Sequence, residues 1–363
     1  MSPQLSPGYP SDRRIDPARP IRLMIVDDSI VARTIFGNLL ESRPEFRIVG
    51  MASTADHALA LLEHEIADII LLDVQMPGTD GLTALPLIIE KSGGARVMIV
   101  SSACNDGAAA TVQALTLGAA DTLLKPSAGE FNARFADILS ERLLRIARTA
   151  PPVAHAGVPS PLRRADRSRP VACLGIGAST GGLHALSAFF GALPEAFAAP
   201  VLVTQHLPAS FMPYFAAQLH DISGRPSTVA HDGAPLRRGE ILVAPGDAHI
   251  RLARCGADVR VRLDRAPVAN GCFPSVDPMF EAMAAIYGPA AVGVVLSGMG
   301  SDGSAGAAVL VEAGGEILAQ DQESSVVWGM PGVVATAGLA SAVLPAGRLA
   351  RYIAARREDG PWN

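Results

Sequence analysis

Ser179 lies in the run Gly177-Ala178-Ser179-Thr180-Gly181-Gly182, between the apolar stretch Val171–Ile176 and a helical pattern over Leu183–Phe190. Small residues around a serine in a strand-to-helix turn let its hydroxyl project, and backbone N–H groups at the helix start can stabilise a developing oxyanion. That layout suits a nucleophile. A serine at its ordinary pKa needs a base, and the chain has eight histidines. His206 follows the expected strand Val201–Thr204 at its carboxyl end, whereas His184 falls inside the helical pattern and His57, His64 and His155 belong to other segments. His231 and His249 stay as outside candidates because each follows or enters an expected strand. A base also needs a carboxylate to set its tautomer. Asp302 fits, in Gly298-Met299-Gly300-Ser301-Asp302-Gly303 directly after the apolar run Ala291–Leu296; Asp277 is the alternative, but reads equally well as a carboxylate at a helix N-terminus.

Two plainer explanations compete with nucleophilic catalysis. Gly175-x-Gly177 could open a dinucleotide fingerprint, although Thr180 occupies the third glycine position. The turn could also be a turn with no chemistry, in which case the second half of the chain would only bind a partner. Cys272 lacks a helix start or basic neighbour that would lower its pKa, and is assigned a structural role.

The first half carries a different constellation. Asp27 and Asp28 follow the apolar run Ile21–Val26, Asp73 follows Asp68–Leu72, Ser101 ends Val97–Ser101, and Lys125 follows Thr122–Leu124. In a parallel sheet these strand ends share one rim, so three carboxylates converge. Like charges at that spacing call for a cation, and an all-oxygen cluster suits Mg²⁺. Asp73 could then accept a phosphoryl group, with Asp27 and Asp28 at the metal and Ser101 and Lys125 at the phosphoryl oxygens. Taken singly, these residues would read as a helix cap, a strand end and a turn.

The elements that must hold these residues follow from alternation. Five short β-rich runs, with Phe46–Met51 as the second, alternate with helical patterns and close with a helix from near Phe131 to Ala147, which predicts a doubly wound five-stranded parallel sheet of flavodoxin type. A second alternation runs through Val171–Ile176, Val201–Thr204, Glu240–Ala244, Ala291–Leu296 and Glu316–Ala319; it predicts a Rossmann-like α/β domain. Its sheet is expected to be mostly parallel, made mixed by an antiparallel pair over Ala248–Leu263.

The expected division is a leader at 1–20, a domain at 21–147, a linker at 148–170, a second domain at 171–357 and a tail at 358–363. The linker arginines Arg163, Arg164, Arg167 and Arg169 are read as a solvated basic stretch.

At 363 residues the chain can bury two cores, and 49% hydrophobic against 18% charged residues excludes a disordered class. A net charge of -5 offers no general attraction for nucleic acid. The four cysteines lack paired-ligand spacing, which argues against a zinc site or a disulfide framework and for reduced thiols in the cytoplasm. The leader has no signal-peptide core, and no apolar run of about 18 residues predicts a membrane span.

Through Val26-Asp27-Asp28-Ser29, Leu72-Asp73-Val74-Gln75-Met76-Pro77, Asp80-Gly81, Val100-Ser101-Ser102 and Lys125-Pro126, the first domain resembles response-regulator receiver domains. The resemblance implies phosphorylation at Asp73, Mg²⁺ held by Asp28, Asp73 and the Gln75 carbonyl, and a chemotaxis histidine kinase, CheA, as donor.

The second domain resembles the CheB methylesterase family, through Gly177–Gly182, Gln205-His206-Leu207-Pro208, Ala244-Pro245-Gly246-Asp247, Pro274–Asp277, Gly298–Gly303 and Gly329-Met330-Pro331. This implies hydrolysis of glutamate γ-methyl esters on methyl-accepting chemotaxis receptors, together with deamidation of receptor glutamines. It places Ser179, His206 and Asp302 at the catalytic positions, with Thr180, Gly181 and Met299 beside them and no cofactor for the hydrolysis. It also implies a cytoplasmic protein recruited to receptor arrays, whose unphosphorylated receiver partly covers the esterase cleft. Gly271-Cys272-Phe273 departs from the family, which commonly has a basic or polar residue just before the Pro-Ser-Val-Asp run.

Overall fold

The computed structural model describes residues 19–101, 105–126, 132–147, 162–163 and 169–356, with the side chains of 105–107 left out. Most of the expected leader and linker, the tail, Ser102 and Cys104 lie outside the described residues. The chain forms two compact units, Met1–Ala150 and Pro151–Asn363.

The first unit alternates β1 (Ile21–Val26), α1 (Ile30–Glu41), β2 (Phe46–Ala52), α2 (Ala55–Leu61), β3 (Ile69–Leu72), α3 (Gly81–Lys91), β4 (Arg96–Ser101), α4 (Asn105–Thr116), β5 (Asp121–Leu124) and α5 (Ala133–Ala147). The strands pair in parallel in the order β2-β1-β3-β4-β5. Helices cover both faces, so β3 is buried at every position and reads as an unbroken apolar run, Ile69 to Leu72. Side-chain oxygens start three helices: Ser29 accepts from the Ala32 N–H, Thr54 from His57 and Asp80 from Thr83, each satisfying a donor that the first helical turn leaves unpaired.

The second unit comprises β6 (Cys173–Ala178), α6 (Gly182–Ala192), β7 (Val201–Gln205), α7 (Met212–Ser223), β8 (Ser227–Val229), β9 (Ile241–Val243), β10 (His249–Cys255), β11 (Asp258–Asp264), α8 (Val276–Tyr287), β12 (Ala291–Val295), α9 (Ser304–Glu312), β13 (Glu316–Gln320), α10 (Met330–Thr336), β14 (Ala342–Leu344) and α11 (Ala346–Ala354). Seven strands pair in the order β14-β13-β12-β6-β7-β9-β8, every pairing parallel.

The hairpin over Ala248–Leu263 is present, but it forms a separate two-stranded sheet, β10 with β11, and does not make the main sheet mixed. It packs through Ile250 and Val261 into the same core as Phe280 and Met283 of α8, which uses up its one apolar face. The three-residue strands β8 and β14 are too short to show a period and were not legible in the sequence.

Strand order reverses around β6, which has β12 on one side and β7 on the other. The carboxyl ends of these three strands therefore define a switch-point crevice, where side chains from distant segments can meet.

Candidate functional site

The register places Ala178 opposite Gln205 as the last pair of β6 and β7, so Ser179 and His206 emerge side by side. The His206 N–H donates to the Ala178 carbonyl at 3.3 Å, and Ser179 is tied to the β12 side by its N–H to the Ser297 carbonyl at 3.0 Å. Gln205 supports the turn from below, its Nε2 donating to the Ser179 carbonyl at 2.9 Å. Two glycines allow the crowding. Gly181 sits at φ +72°, and a Cβ on Gly298 would lie 3.0 Å from both the Cβ and the N of Ser179.

His206 Nε2 lies 2.8 Å from Asp302 Oδ2. The carboxylate is fully buried, while the imidazole is 18% exposed at the crevice. Asp302 also accepts from Ser275 Oγ at 2.6 Å, Asn270 Nδ2 at 2.7 Å, the Val276 N–H at 2.8 Å and the Gly303 N–H at 2.9 Å. Burial by itself would raise the Asp302 pKa, but the bond from His206, its positive charge when protonated, and the Ser275 and Val276 donors outweigh it and hold the carboxyl below its usual range. The carboxylate therefore stays ionised beside the imidazole. Among the described residues no hydrogen bond links Ser179 Oγ to His206; with Nε2 committed to Asp302, Nδ1 is the ring nitrogen left for a substrate-side proton.

The rival candidates have other partners. His249 is fully buried, with Nε2 against the Ala266 carbonyl at 3.1 Å and Nδ1 accepting from the Ser275 N–H at 2.8 Å. It positions the Ser275 loop. His231 is exposed and faces the Asp232 carbonyl. Asp277 accepts from the Gly306 N–H at 2.7 Å and Asn270 Nδ2 at 2.8 Å, and burial raises its pKa despite them. Met299 is half-buried in the loop after β12, where Gly298 accepts from the Gly329 and Met330 N–H groups.

Asn270, Ser275 and Gln205 were missed in the sequence. Gln205 and Ser275 stand inside the motifs that carry the resemblance, but no role was read for them, and the Ser-x-Asp cap pattern at 275–277 points to a helix start rather than to a site. Cys272, assigned a structural role from sequence, has its Sγ within 4.8 Å of ligand atoms of His206 and Asp302.

In the first unit, ligand oxygens of Asp27, Asp28 and Asp73 lie within 4.8 Å of one another. Lys125 Nζ bridges Asp73 Oδ2 at 2.6 Å and Asp27 Oδ2 at 2.7 Å. Burial raises the Asp73 pKa and the Asp27 charge adds to it, against the opposing pull of Lys125. For Lys125, burial works to lower the pKa, and the two carboxylates reverse that and raise it. The Gln75 N–H donates to Asp73 Oδ1 at 3.2 Å, while Ser101 Oγ pairs with Thr111 Oγ1 at 2.7 Å. Three hard oxygen donors around one point, with an ammonium already between two of them, match the donor set Mg²⁺ prefers.

Residues 174–353 match the CheB methylesterase family, and residues 23–134 match the response regulator receiver domain. The chain is 41% identical to protein-glutamate methylesterase/protein-glutamine glutaminase 2 of Caulobacter vibrioides, over 93% of this chain and 99% of that relative. It is 37% identical to protein-glutamate methylesterase/protein-glutamine glutaminase 1 of Paramagnetospirillum magneticum, over 93% and 97%. The crystal structure of the Thermotoga maritima CheB methylesterase catalytic domain aligns with 51% of this chain and 98% of its own length, at 36% identity and a TM-score of 0.49. With relatives matching both halves in one continuous alignment, the chain belongs to the CheB family of receiver-linked methylesterases.

Proposed function

We propose that this chain is a phosphorylation-controlled protein-glutamate methylesterase in which Ser179 is the nucleophile, His206 the general base and Asp302 its orienting carboxylate. The observation that carries the assignment is the 2.8 Å contact between His206 and the fully buried Asp302, at the rim where Ser179 emerges beside His206. His206 Nδ1 takes the Ser179 proton as Oγ attacks the γ-ester carbonyl; the N–H groups of Thr180 and Gly181, in the turn into α6, serve the developing oxyanion. Methanol leaves and an acyl-enzyme remains. Water, deprotonated by the same imidazole, then frees the glutamate carboxylate. Catalytic hydrogen bonds are often long before substrate binds, which accommodates the open Ser179–His206 arrangement. The hydrolytic half uses side chains and backbone alone.

The same acyl chemistry with ammonia as leaving group deamidates glutamine, the second activity in the relatives' names. The substrates are methyl-accepting chemotaxis receptors. The first unit takes its phosphoryl group from a histidine kinase of the CheA type onto Asp73, with Asp27, Asp28, Asp73 and the Gln75 carbonyl as ligands for Mg²⁺, which would neutralise the oxygens there. No helix among the described residues is long and apolar enough to cross a membrane. We assign the protein to the cytoplasm, at receptor arrays.

The test is methanol release from methylated receptor membranes by the wild type and by Ser179→Ala, with ammonia release from receptors bearing unmodified glutamines measured in parallel. Loss of both in Ser179→Ala supports the assignment, and undiminished methanol release removes it.

A further inference from the structure

Cys272, His206 and Asp302 present one ligand atom each within 4.8 Å of one another. The set differs in kind from the all-oxygen cluster of the first unit. A thiolate, an imidazole and a carboxylate are the three donor types that Zn²⁺ accepts in a tetrahedral site, and three protein ligands leave the fourth position for water. The thiol is also held in place. Asn270 Oδ1 accepts from the Cys272 N–H at 2.8 Å, while Asn270 Nδ2 donates to Asp302 Oδ1 at 2.7 Å, so one amide fastens the loop bearing the sulfur to the carboxylate of the set. Gly271, at φ +70°, makes the turn that brings Cys272 back toward the crevice. Asp302 is buried and His206 is partly open to solvent, which provides both a fixed anchor and an entry path.

We propose that these three residues form an inhibitory site for Zn²⁺ or a similarly borderline-soft divalent ion. Binding displaces the thiol proton of Cys272 to solvent and engages the imidazole of His206. The ion binds Nε2 in place of the hydrogen bond to Asp302, and the ring proton moves to Nδ1, so no lone pair remains there to accept the Ser179 proton and hydrolysis stops while the fold stays intact. Mg²⁺ does not compete, since it avoids sulfur. A cysteine at position 272 thus gives this esterase a metal-dependent off state, independent of phosphorylation. The inhibitory consequence rests on the Ser179–His206 assignment above; the metal site itself does not.

The test uses the full-length protein with saturating Mg²⁺, and Cys272→Ser and Cys272→Ala beside the wild type. Methanol release is titrated with Zn²⁺, each protein being scored against its own uninhibited rate, and Co²⁺ is added separately to read thiolate-to-metal charge transfer in the near ultraviolet. We expect chelator-reversible inhibition of the wild type, and a half-inhibitory Zn²⁺ concentration raised at least about tenfold in both variants, since loss of even an outer-shell partner costs that much. The charge-transfer band should weaken in both. Equal inhibition of wild type and variants, no inhibition of the wild type, or an unchanged band in the variants overturns the proposal. A protein without methanol release, but with a Cys272-dependent band, would retain the metal site and lose the esterase assignment.

Discussion

His206 and Asp302 stand 96 residues apart in the chain and 2.8 Å apart in space, imidazole Nε2 to carboxylate Oδ2. Asp302→Asn keeps the size and removes the charge, leaving an amide among donors that need an acceptor. We expect kcat for methanol release to fall about 10³-fold or more with a smaller change in KM, because the carboxylate acts on the imidazolium formed during reaction. A KM-dominated loss would instead assign Asp302 to substrate binding.

Asn270 connects the Asp302 and Asp277 carboxylates through a single Nδ2. Truncation in Asn270→Ala leaves two buried acceptors short of a donor, each at a cost of about 1–3 kcal/mol. The expected outcome is a lower Tm together with a kcat reduced about tenfold or more. Calorimetry and initial rates separate the two effects.

Gly298→Ala would push a Cβ into Met330 Sδ and to 3.0 Å from the Ser179 backbone N. The thioether can swing aside, but the Ser179 backbone cannot without moving the Ser179 hydroxyl. A displacement of about 1 Å costs roughly 10²-fold in rate, so kcat should drop by about that factor. Stability should change by only about 1–3 kcal/mol.

Asp73→Asn removes the carboxylate that faces Lys125 at 2.6 Å. No hydroxylamine-labile phosphoryl label should enter from a small-molecule phosphodonor, and the donor should no longer stimulate methanol release. Labelling equal to wild type would move the phosphoacceptor elsewhere.

Asp68 gives a pH-dependent test of stability. Burial of its carboxyl works to raise the pKa, but hydrogen bonds from Arg22 and Arg19 prevail and hold it at about 2. A depressed folded-state pKa contributes stability above the unfolded value near 4, and that contribution is lost as pH falls through about 2. The magnitude is about 2 kcal/mol. Chemical denaturation of wild type and Asp68→Asn should therefore differ by about that amount at pH 6, and the gap should close between about pH 4 and pH 2.

Much of the site was legible because parallel strands share their carboxyl ends. Once Ile21–Val26, Asp68–Leu72, Val171–Ile176, Val201–Thr204 and Ala291–Leu296 were read as strands, Asp27, Asp73, Ser179, His206 and Asp302 had to lie on rims. His249 shows the limit of that logic. It also enters a strand, yet its ring is spent on Ala266 and Ser275. The hairpin was visible by its lack of helical spacing, but its separation from the main sheet was not, since pairing depends on which core receives Ile250 and Val261.

The order of apolar runs and turn residues determined, without coordinates, two α/β units, the sheet edges and the reactive residue types placed on them. Only the tertiary structure decided which ring nitrogen faces Asp302, that Asn270, Ser275 and the Val276 N–H support it, and that Cys272 lies beside it. Those choices are made by hydrogen bonds between segments remote in the chain, whose geometry depends on how helices and loops pack over the strands, and local residue patterns carry no record of that packing.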